Sequence, residues 1–340
     1  FSRAEHRKTF HIELLFRNDT GIVSRNAWFY APALHFVLLT GMIKTVWSTG
    51  RSGGIFMVVD CHIHMALDGG YWKDALARHK EAPDEQFIRK TLETYKKLGF
   101  TYLRDGGDRW DAGKRASELA PEYGLCYRTP LFPIYRKGHY GSFIGRGFET
   151  LDDFRALISE VKARGGHFIK IMISGLMDFN RYGVLTDGPM PDALIRELTN
   201  IAHGEGFSVM AHANGDAAVR GAILAGIDSV EHGAYLTDET LHMLAESRTV
   251  WVPTLVTIGN LIGDARFPEE ATRPLLAYQM TAVRKAAEYG ALIAPGSDAG
   301  AYRVFHGQGG LDELALLREA LGENADEILA RGTAEIEARF

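Results

Sequence analysis

From residue 55 onward the apolar positions fall into two alternating rhythms. Short runs rich in β-branched residues predict strands at Phe56–His62, Thr101–Arg104, Arg128–Ile134, Phe168–Ile173, Ser208–Ala213, Ser229–His232, Trp251–Thr257 and Leu292–Gly296. Between them, apolar residues recur at three- and four-residue spacing, as in Phe154, Leu157, Ile158 and Val161. That spacing predicts helices over Asp84–Leu98, Ala112–Tyr123, Leu151–Arg164, Pro191–Glu205, Asp216–Ala225, Thr237–Ala245 and Glu269–Tyr289, with a last one over Leu311–Leu321. Thr237 and Asp238 read as an N-cap region, and Gly99, Gly206, Gly226 and Gly290 fall where helices end. Near-continuous apolar strands separated by helices imply a parallel sheet covered by helices. Eight such units of this total length predict an α/β fold of the closed (β/α)8 TIM-barrel type. An open doubly wound sheet would more often carry a glycine-rich turn after its first strand, and none follows Val59.

Residues 1–54 have another character. The runs Thr9–Phe16, Ile22–Tyr30 and Phe36–Trp47 lack helical periodicity and are separated by turn residues, Asn18-Asp19 first and then Thr49 to Gly54. They predict a small β-rich N-terminal element at 1–54, or a leader, ahead of a barrel domain at 55–340. The apolar stretch Ala31–Ile43 contains Pro32, His35, Thr40 and Gly41 and is too short and broken to span a bilayer, which needs about 20 apolar residues. No basic segment and small-residue cleavage site frame it as a signal peptide.

Composition narrows the function class more than the fold. The 340 residues are 46% hydrophobic and 24% charged, which excludes disorder. A net charge of -5 gives no electrostatic argument for nucleic acid or an anionic membrane. Cys61 and Cys126 do not make a disulfide framework, so a reducing, cytoplasmic setting is expected.

In a barrel of this type the chemistry sits at the carboxyl ends of the strands. Strand one ends Asp60-Cys61-His62-Ile63-His64, strand four carries Lys170, strand five ends at His212, strand six at His232 and strand eight runs into Asp298. His62 and His64 are two apart and project to one side of an extended strand. His212 and His232 are one loop–helix–loop unit apart and come from neighbouring strands. Imidazole nitrogen with carboxylate oxygen suits Zn²⁺, and also Fe, Ni or Mn. Taken singly, each residue has a plain role: a hydrogen-bonded strand-end histidine, or an N-capping aspartate. Lys170, inside the apolar run Ile169–Ile173, does not, because an unpaired buried ammonium is expensive. The joint occurrence on five strand ends points to a metal site. His79, His167, His203 and His242 fall on helices or their ends and need only packed or solvated roles.

These residues, in this order, resemble the signature of the metal-dependent amidohydrolase superfamily, in its imidazolonepropionase-like and prolidase-like branch. The stretch from His212 through Asn214, Gly215 and Asp216 to Glu231-His232-Gly233 is especially similar, as is Gly296-Ser297-Asp298 followed by His306-Gly307 and Leu311-Asp312-Glu313-Leu314. The resemblance covers about residues 55–322. It implies two divalent metal ions, Zn²⁺ foremost, with His62, His64 and Asp298 on one and His212 and His232 on the other. Lys170, N-carboxylated by CO₂, and a hydroxide would bridge them. It further implies Asp298 as general base and acid, and His139 and Tyr235 as substrate or oxyanion contacts. For Tyr235 a packed, structural role is the alternative. The chain departs from the family's pattern in two places. Ile55–Asp60 replaces the Pro-Gly that often precedes the first strand, and the strands that normally complete a small β domain after the barrel are missing.

The expected activity is metal-assisted hydrolysis of a C–N amide bond in a dipeptide or N-acyl amino acid. The partner is then a small-molecule amide or dipeptide substrate, with no nucleic acid and no membrane, in a homo-oligomer. His139, Arg181, Tyr182, Arg303 and His306 are possible contacts for a substrate carboxylate or polar group. Two other readings remain open: a mononuclear cyclic-amide hydrolase or deaminase, and a catalytically silent metal-binding barrel.

Overall fold

The computed structural model describes residues 11–18, 21–28 and 58–340. The chain divides into two compact units, Phe1–Phe56 and Met57–Phe340. In the first, β1 (His11–Asn18) and β2 (Gly21–Trp28) pair antiparallel, with His11 opposite Trp28 and Asn18 opposite Gly21. The expected run Phe36–Trp47 and the apolar stretch Ala31–Ile43 lie outside the described residues.

In the second unit, strands and helices alternate as β3 (Val58–Ile63), α1 (Trp72–Ala77), α2 (Glu85–Lys97), β4 (Phe100–Asp105), α3 (Ala112–Leu119), β5 (Cys126–Arg128), β6 (Pro133–Arg136), β7 (Arg146–Phe148) and α4 (Leu151–Ala163). There follow β8 (Ile169–Met172), α5 (Asp192–Gly204), β9 (Val209–Ala213), α6 (Asp216–Ala225), β10 (Ser229–His232), α7 (Asp238–Glu246), β11 (Val250–Val252), α8 (Val256–Gly259), α9 (Glu269–Tyr289), β12 (Leu292–Ile293), α10 (Gln308–Leu321) and α11 (Ala325–Arg339). The helices start and stop where local chemistry dictates. Thr150 and Asp153 close a capping box on α4, and Gly226 and Gly290 adopt left-handed backbone after α6 and α9.

All pairings in the second unit's named strands are parallel, and the strands close into the expected barrel. One run of neighbours is β3-β4-β5; the other is β12-β11-β10-β9-β8-β6-β7. The two runs join at both ends. Strand eight meets strand one through Cys61 N–H to the Pro295 carbonyl (2.9 Å) and Asp298 N–H to the His62 carbonyl (2.7 Å). The third barrel strand bridges the other side in two pieces, β5 against β4 and β6 against β8.

That break corrects the single strand expected over Arg128–Ile134. Pro130 has no N–H to donate, and Leu131 takes a left-handed φ of 69°. The seventh strand is also shorter than expected. It stops at Val252, because Pro253 and a left-handed Thr254 (φ 49°) turn the chain into α8.

The lumen is layered. At the amino end Val59, Cys61, Tyr102, Phe168, Met210, Val250, Val252 and Ala294 form an apolar plug, sealed by Ile336 and Phe340 from the end of α11. Between sheet and helices, Ile169, Ile171 and Ile173 pack outward on α4 and α5, which places Lys170 inward. Among the described residues no helix is long and apolar enough to cross a membrane.

Candidate metal centre

A β-bulge prepares strand one for its ligands. The register against β4 shifts between Asp60 and Ile63. Cys61 packs into the luminal plug, and the very next side chain, His62, also faces the lumen, where its ring lies 5.2 Å from that of His232. The Asp60 carboxylate holds the bulge by accepting from His62 N–H (3.3 Å), Ser297 N–H (2.8 Å) and Ser297 Oγ–H (2.6 Å). At the other strand ends His232 (φ 71°) and Asp298 (φ 59°) take left-handed backbone, uncommon among residues other than glycine and recurrent at functional positions. The His232 carbonyl is pinned by Trp251 Nε1–H (3.0 Å) and Gln279 Nε2–H (2.8 Å).

The structure brings together the residues expected from the sequence. His62 Nε2, His64 Nε2 and Asp298 Oδ1 form a triangle with all three edges 3.4 Å. Ligand bonds of about 2.0–2.1 Å around a tetrahedral Zn²⁺ give edges of about 3.3–3.4 Å, so the triangle fits such an ion. The rings continue from His62 to His232 (5.2 Å) and from His232 to His212 (4.6 Å).

Three of these imidazoles have one nitrogen engaged by the protein, leaving the other for a ligand. His62 Nδ1 lies 2.8 Å from Glu231 Oε2, His232 Nδ1 lies 2.8 Å from Thr254 Oγ1, and His212 Nε2–H donates to the Gly175 carbonyl (3.1 Å). That leaves Nε2 of His62 and His232, and Nδ1 of His212. Outer-shell bonding of this kind sets the tautomer of a metal-binding histidine.

Burial and charge put these groups in the states a metal needs. Burial, reinforced by the Lys170 charge, lowers His64 and His212 to about 3 and holds His62 and His232 well below the usual imidazole range. All four are therefore neutral at pH 7. Lys170 itself is lowered to about 8 by burial, although Glu231 and Asp298 oppose the shift. Burial raises Asp298 to about 7. The Lys170 Nζ is buried and has no hydrogen-bond partner.

The other expected contacts divide. His139 stays at the rim, half-exposed, with Nδ1 3.1 Å from Asp187 Oδ2. Tyr235 sits beside Tyr182 and Tyr278, at ring distances of 5.2 and 6.4 Å, and its hydroxyl is buried without a partner. Arg181 is exposed and pairs with Asp178 (2.7 Å), and Arg303 lies 3.5 Å from Asp264. His306 is not free for a substrate: its Nε2–H donates to the Leu67 carbonyl (2.9 Å), and Nδ1 is 3.1 Å from the Tyr95 hydroxyl.

Sequence reasoning missed a supporting set beneath the histidines. Arg104 donates to the Cys61 carbonyl (2.7 Å), Ser229 Oγ (2.8 Å) and Glu231 Oε1 (2.9 Å), and Ser229 Oγ–H also donates to Glu231 Oε1 (2.6 Å). Its guanidinium stacks 4.4 Å from the Phe340 ring. All three polar side chains are fully buried. The available signal was the one that exposed Lys170: a charged residue inside an apolar strand, here Arg104 in Tyr102-Leu103-Arg104 and Glu231 in Val230-Glu231-His232.

Residues 53–333 match the sequence model of the amidohydrolase family. An uncharacterized protein of Mycobacterium tuberculosis is 31% identical over 317 residues, covering 87% of this chain and 78% of its own. The ochratoxinase of Aspergillus niger is 25% identical over 233 residues, covering 57% of this chain and 46% of its own. Among solved structures, an Xaa-Pro dipeptidase with bound methionine superposes with a TM-score of 0.66 at 21% identity, over 82% of this chain and 74% of that one. The A. niger ochratoxinase structure gives 0.67 at 20%, over 82% and 71%. These structural likenesses establish the fold. The chain belongs to the amidohydrolase family and is a hydrolase acting on carbon–nitrogen bonds.

Proposed function

We propose that this amidohydrolase cleaves the amide bond of a small substrate bearing a carboxylate, a dipeptide or an N-acyl amino acid, at a centre for two divalent ions. His62, His64 and Asp298 would hold the first ion and His212 and His232 the second, with N-carboxylated Lys170 as a further anionic ligand; Zn²⁺ suits this nitrogen and oxygen set. The observation that carries the reading is Lys170: an ammonium buried among four neutral imidazoles, with no partner for its Nζ. Unmodified, it is a costly cation in a site built for cations. Addition of CO₂ to its neutral amine would form an N–C bond, release one N–H proton to solvent and leave an anion with two ligand oxygens. The relatives named ochratoxinase and Xaa-Pro dipeptidase support an amide substrate.

When bound, the ions would supply Lewis-acid polarisation of the amide carbonyl and a more acidic water. The chain's own residues do the rest. Asp298 reaches the triangle through Oδ1, which leaves Oδ2 to take the proton of the attacking water and return it to the leaving nitrogen. Thr254, Gly175 and Glu231 keep the imidazoles oriented. His139, half-exposed beside Asp187, and Tyr235, whose hydroxyl has no partner, are the proposed substrate contacts.

A mononuclear reading has its own observation: among the described residues, His62, His64 and Asp298 are the one group of three or more His, Cys, Asp or Glu with donor atoms mutually within 4.8 Å. Elemental analysis of protein purified without chelator separates the two. A ratio near two per chain is expected after loading with Zn²⁺ and bicarbonate. A ratio that stays at one refutes the binuclear centre and favours the mononuclear alternative.

A further inference from the structure

The loops after strands one and three carry a line of aromatic rings that starts at a candidate metal ligand and ends in solvent. Tyr140 lies 5.0 Å from the His212 ring, Phe143 lies 5.7 Å from Tyr140, Trp72 packs edge-on 5.7 Å from Phe143, and Tyr71 lies 6.3 Å from Trp72. Exposure rises along the line: Tyr140 and Phe143 are half-buried, whereas Trp72 is 41% and Tyr71 51% exposed. Six large hydrophobic side chains are exposed among the described residues; two of them, Tyr71 and Trp72, end this line, and a third lies over the loop that leads into it. The third, Phe305, comes from the loop after strand eight and lies over Gly69, where a Cβ would come within 2.8 Å of its ring.

The inner end of the line is built with care. Tyr140 N–H donates to Asp187 Oδ2 (2.9 Å), and the same carboxylate holds His139. Gly141 follows with a φ of 125°, and a Cβ there would sit 2.6 Å from Tyr135 Cβ. The turn thus holds the Tyr140 ring against His212. Scattered surface apolar residues need no explanation, but a contiguous strip leading out of a reactive site is what substrate pockets use for affinity.

We infer that Tyr140, Phe143, Trp72 and Tyr71 form a binding strip for an aromatic arm of the substrate, and that the enzyme prefers aromatic N-acyl amino acids to small aliphatic ones. The inference rests on the amide-hydrolase reading of the metal centre. A scissile amide placed at His212 leaves its substituent along Tyr140 and Phe143. An aromatic substituent removes apolar area from water there and meets ring faces and edges in favourable geometry.

The test compares N-benzoylalanine and N-acetylphenylalanine with N-acetylalanine on the full Zn²⁺-loaded chain. At least one aromatic substrate should exceed N-acetylalanine by about tenfold in kcat/KM, mainly through KM. In Trp72→Ala that selectivity ratio should fall toward one. A purely structural role would lower both substrates alike and keep the ratio, and Trp72 is exposed enough that its removal leaves the core untouched. Equal turnover of all three substrates overturns the strip and leaves the hydrolase reading intact. If none is turned over, the proposed substrate class fails. Equilibrium binding of N-benzoylalanine then still decides the strip, which is overturned if Trp72→Ala binds it as tightly as the parent.

Discussion

The upper and lower polar layers of the barrel lumen are made of similar residues and differ in what their atoms touch. In the lower layer Arg104, Ser229 and Glu231 bond to one another, to a carbonyl and to His62. In the upper layer the imidazoles keep a nitrogen in reserve, and Lys170 Nζ bonds to nothing. Buried polar groups are normally satisfied, because desolvation without a partner costs on the order of 1–3 kcal/mol, and more for a charge. A fully paired layer therefore reads as support, and a layer with converging unpaired donor atoms reads as a candidate ligand site.

The strongest way to break that contrast is to change the upper layer and see nothing happen. Asp298→Asn should keep the fold and lose at least about 10²-fold in kcat, because the amide cannot shuttle the proton. Lys170→Ala should lose both activity and metal, with partial return of both when short-chain carboxylates occupy the gap. Steady-state kinetics and metal content read both outcomes. Full activity in either variant would remove these residues from the mechanism.

The lower layer should act through metal affinity. Glu231→Ala frees His62 Nδ1 and leaves Arg104 buried without its anion. Loss of an outer-shell partner typically costs about 10–100-fold in metal affinity. Breaking a buried ion pair also destabilises by about 3–5 kcal/mol. Glu231→Gln keeps an acceptor for His62 and should lie between. Chelator competition measures the affinity, and unchanged Zn²⁺ binding in both variants would reduce the layer to packing.

How much of this was legible beforehand follows from the same contrast. The barrel, its strand order and the upper-layer residues were readable, because parallel strands carry dense apolar runs and their carboxyl ends follow directly. The split third strand was marked by Pro130 but needs Leu131's backbone to be seen. Glu231 and Arg104 carried the same signal as Lys170, a charge inside an apolar run, but that they pair with each other shows only when the strands close. His306 was misjudged as a substrate contact: its motif position says nothing of Leu67 and Tyr95, which occupy its two nitrogens from elsewhere in the chain. The aromatic strip joins residues about seventy positions apart on different loops, a proximity that no local pattern encodes.

Glu313 tests the contrast most sharply, since it is a buried group with a free atom outside the metal centre. Its Oε2 accepts from Val256 N–H (2.7 Å), and its Oε1 has no partner. Burial raises its carboxyl to about 8, so at neutral pH the group is mostly protonated. A neutral acid with one idle oxygen costs far less than an idle ammonium, so Glu313 gives no argument for a ligand where Lys170 does. The pH dependence follows. Between about pH 4.5 and 8 the folded chain holds this proton and the unfolded chain does not, so Glu313 makes stability fall as pH rises through that window. Glu313→Gln cannot titrate. The difference in melting temperature, variant minus parent, should grow from pH 5 to pH 8, by about 1.5 °C for each kcal/mol involved in a chain of this size. Asp60, Asp105 and Asp108, also raised by burial, contribute to both proteins and cancel in the difference. A difference that stays constant with pH would mean Glu313 is ionised in the folded protein. Idle buried atoms such as Tyr102 Oη already occur outside the metal centre, so an ionised Glu313 would mean that a buried charge with an idle atom no longer singles out Lys170.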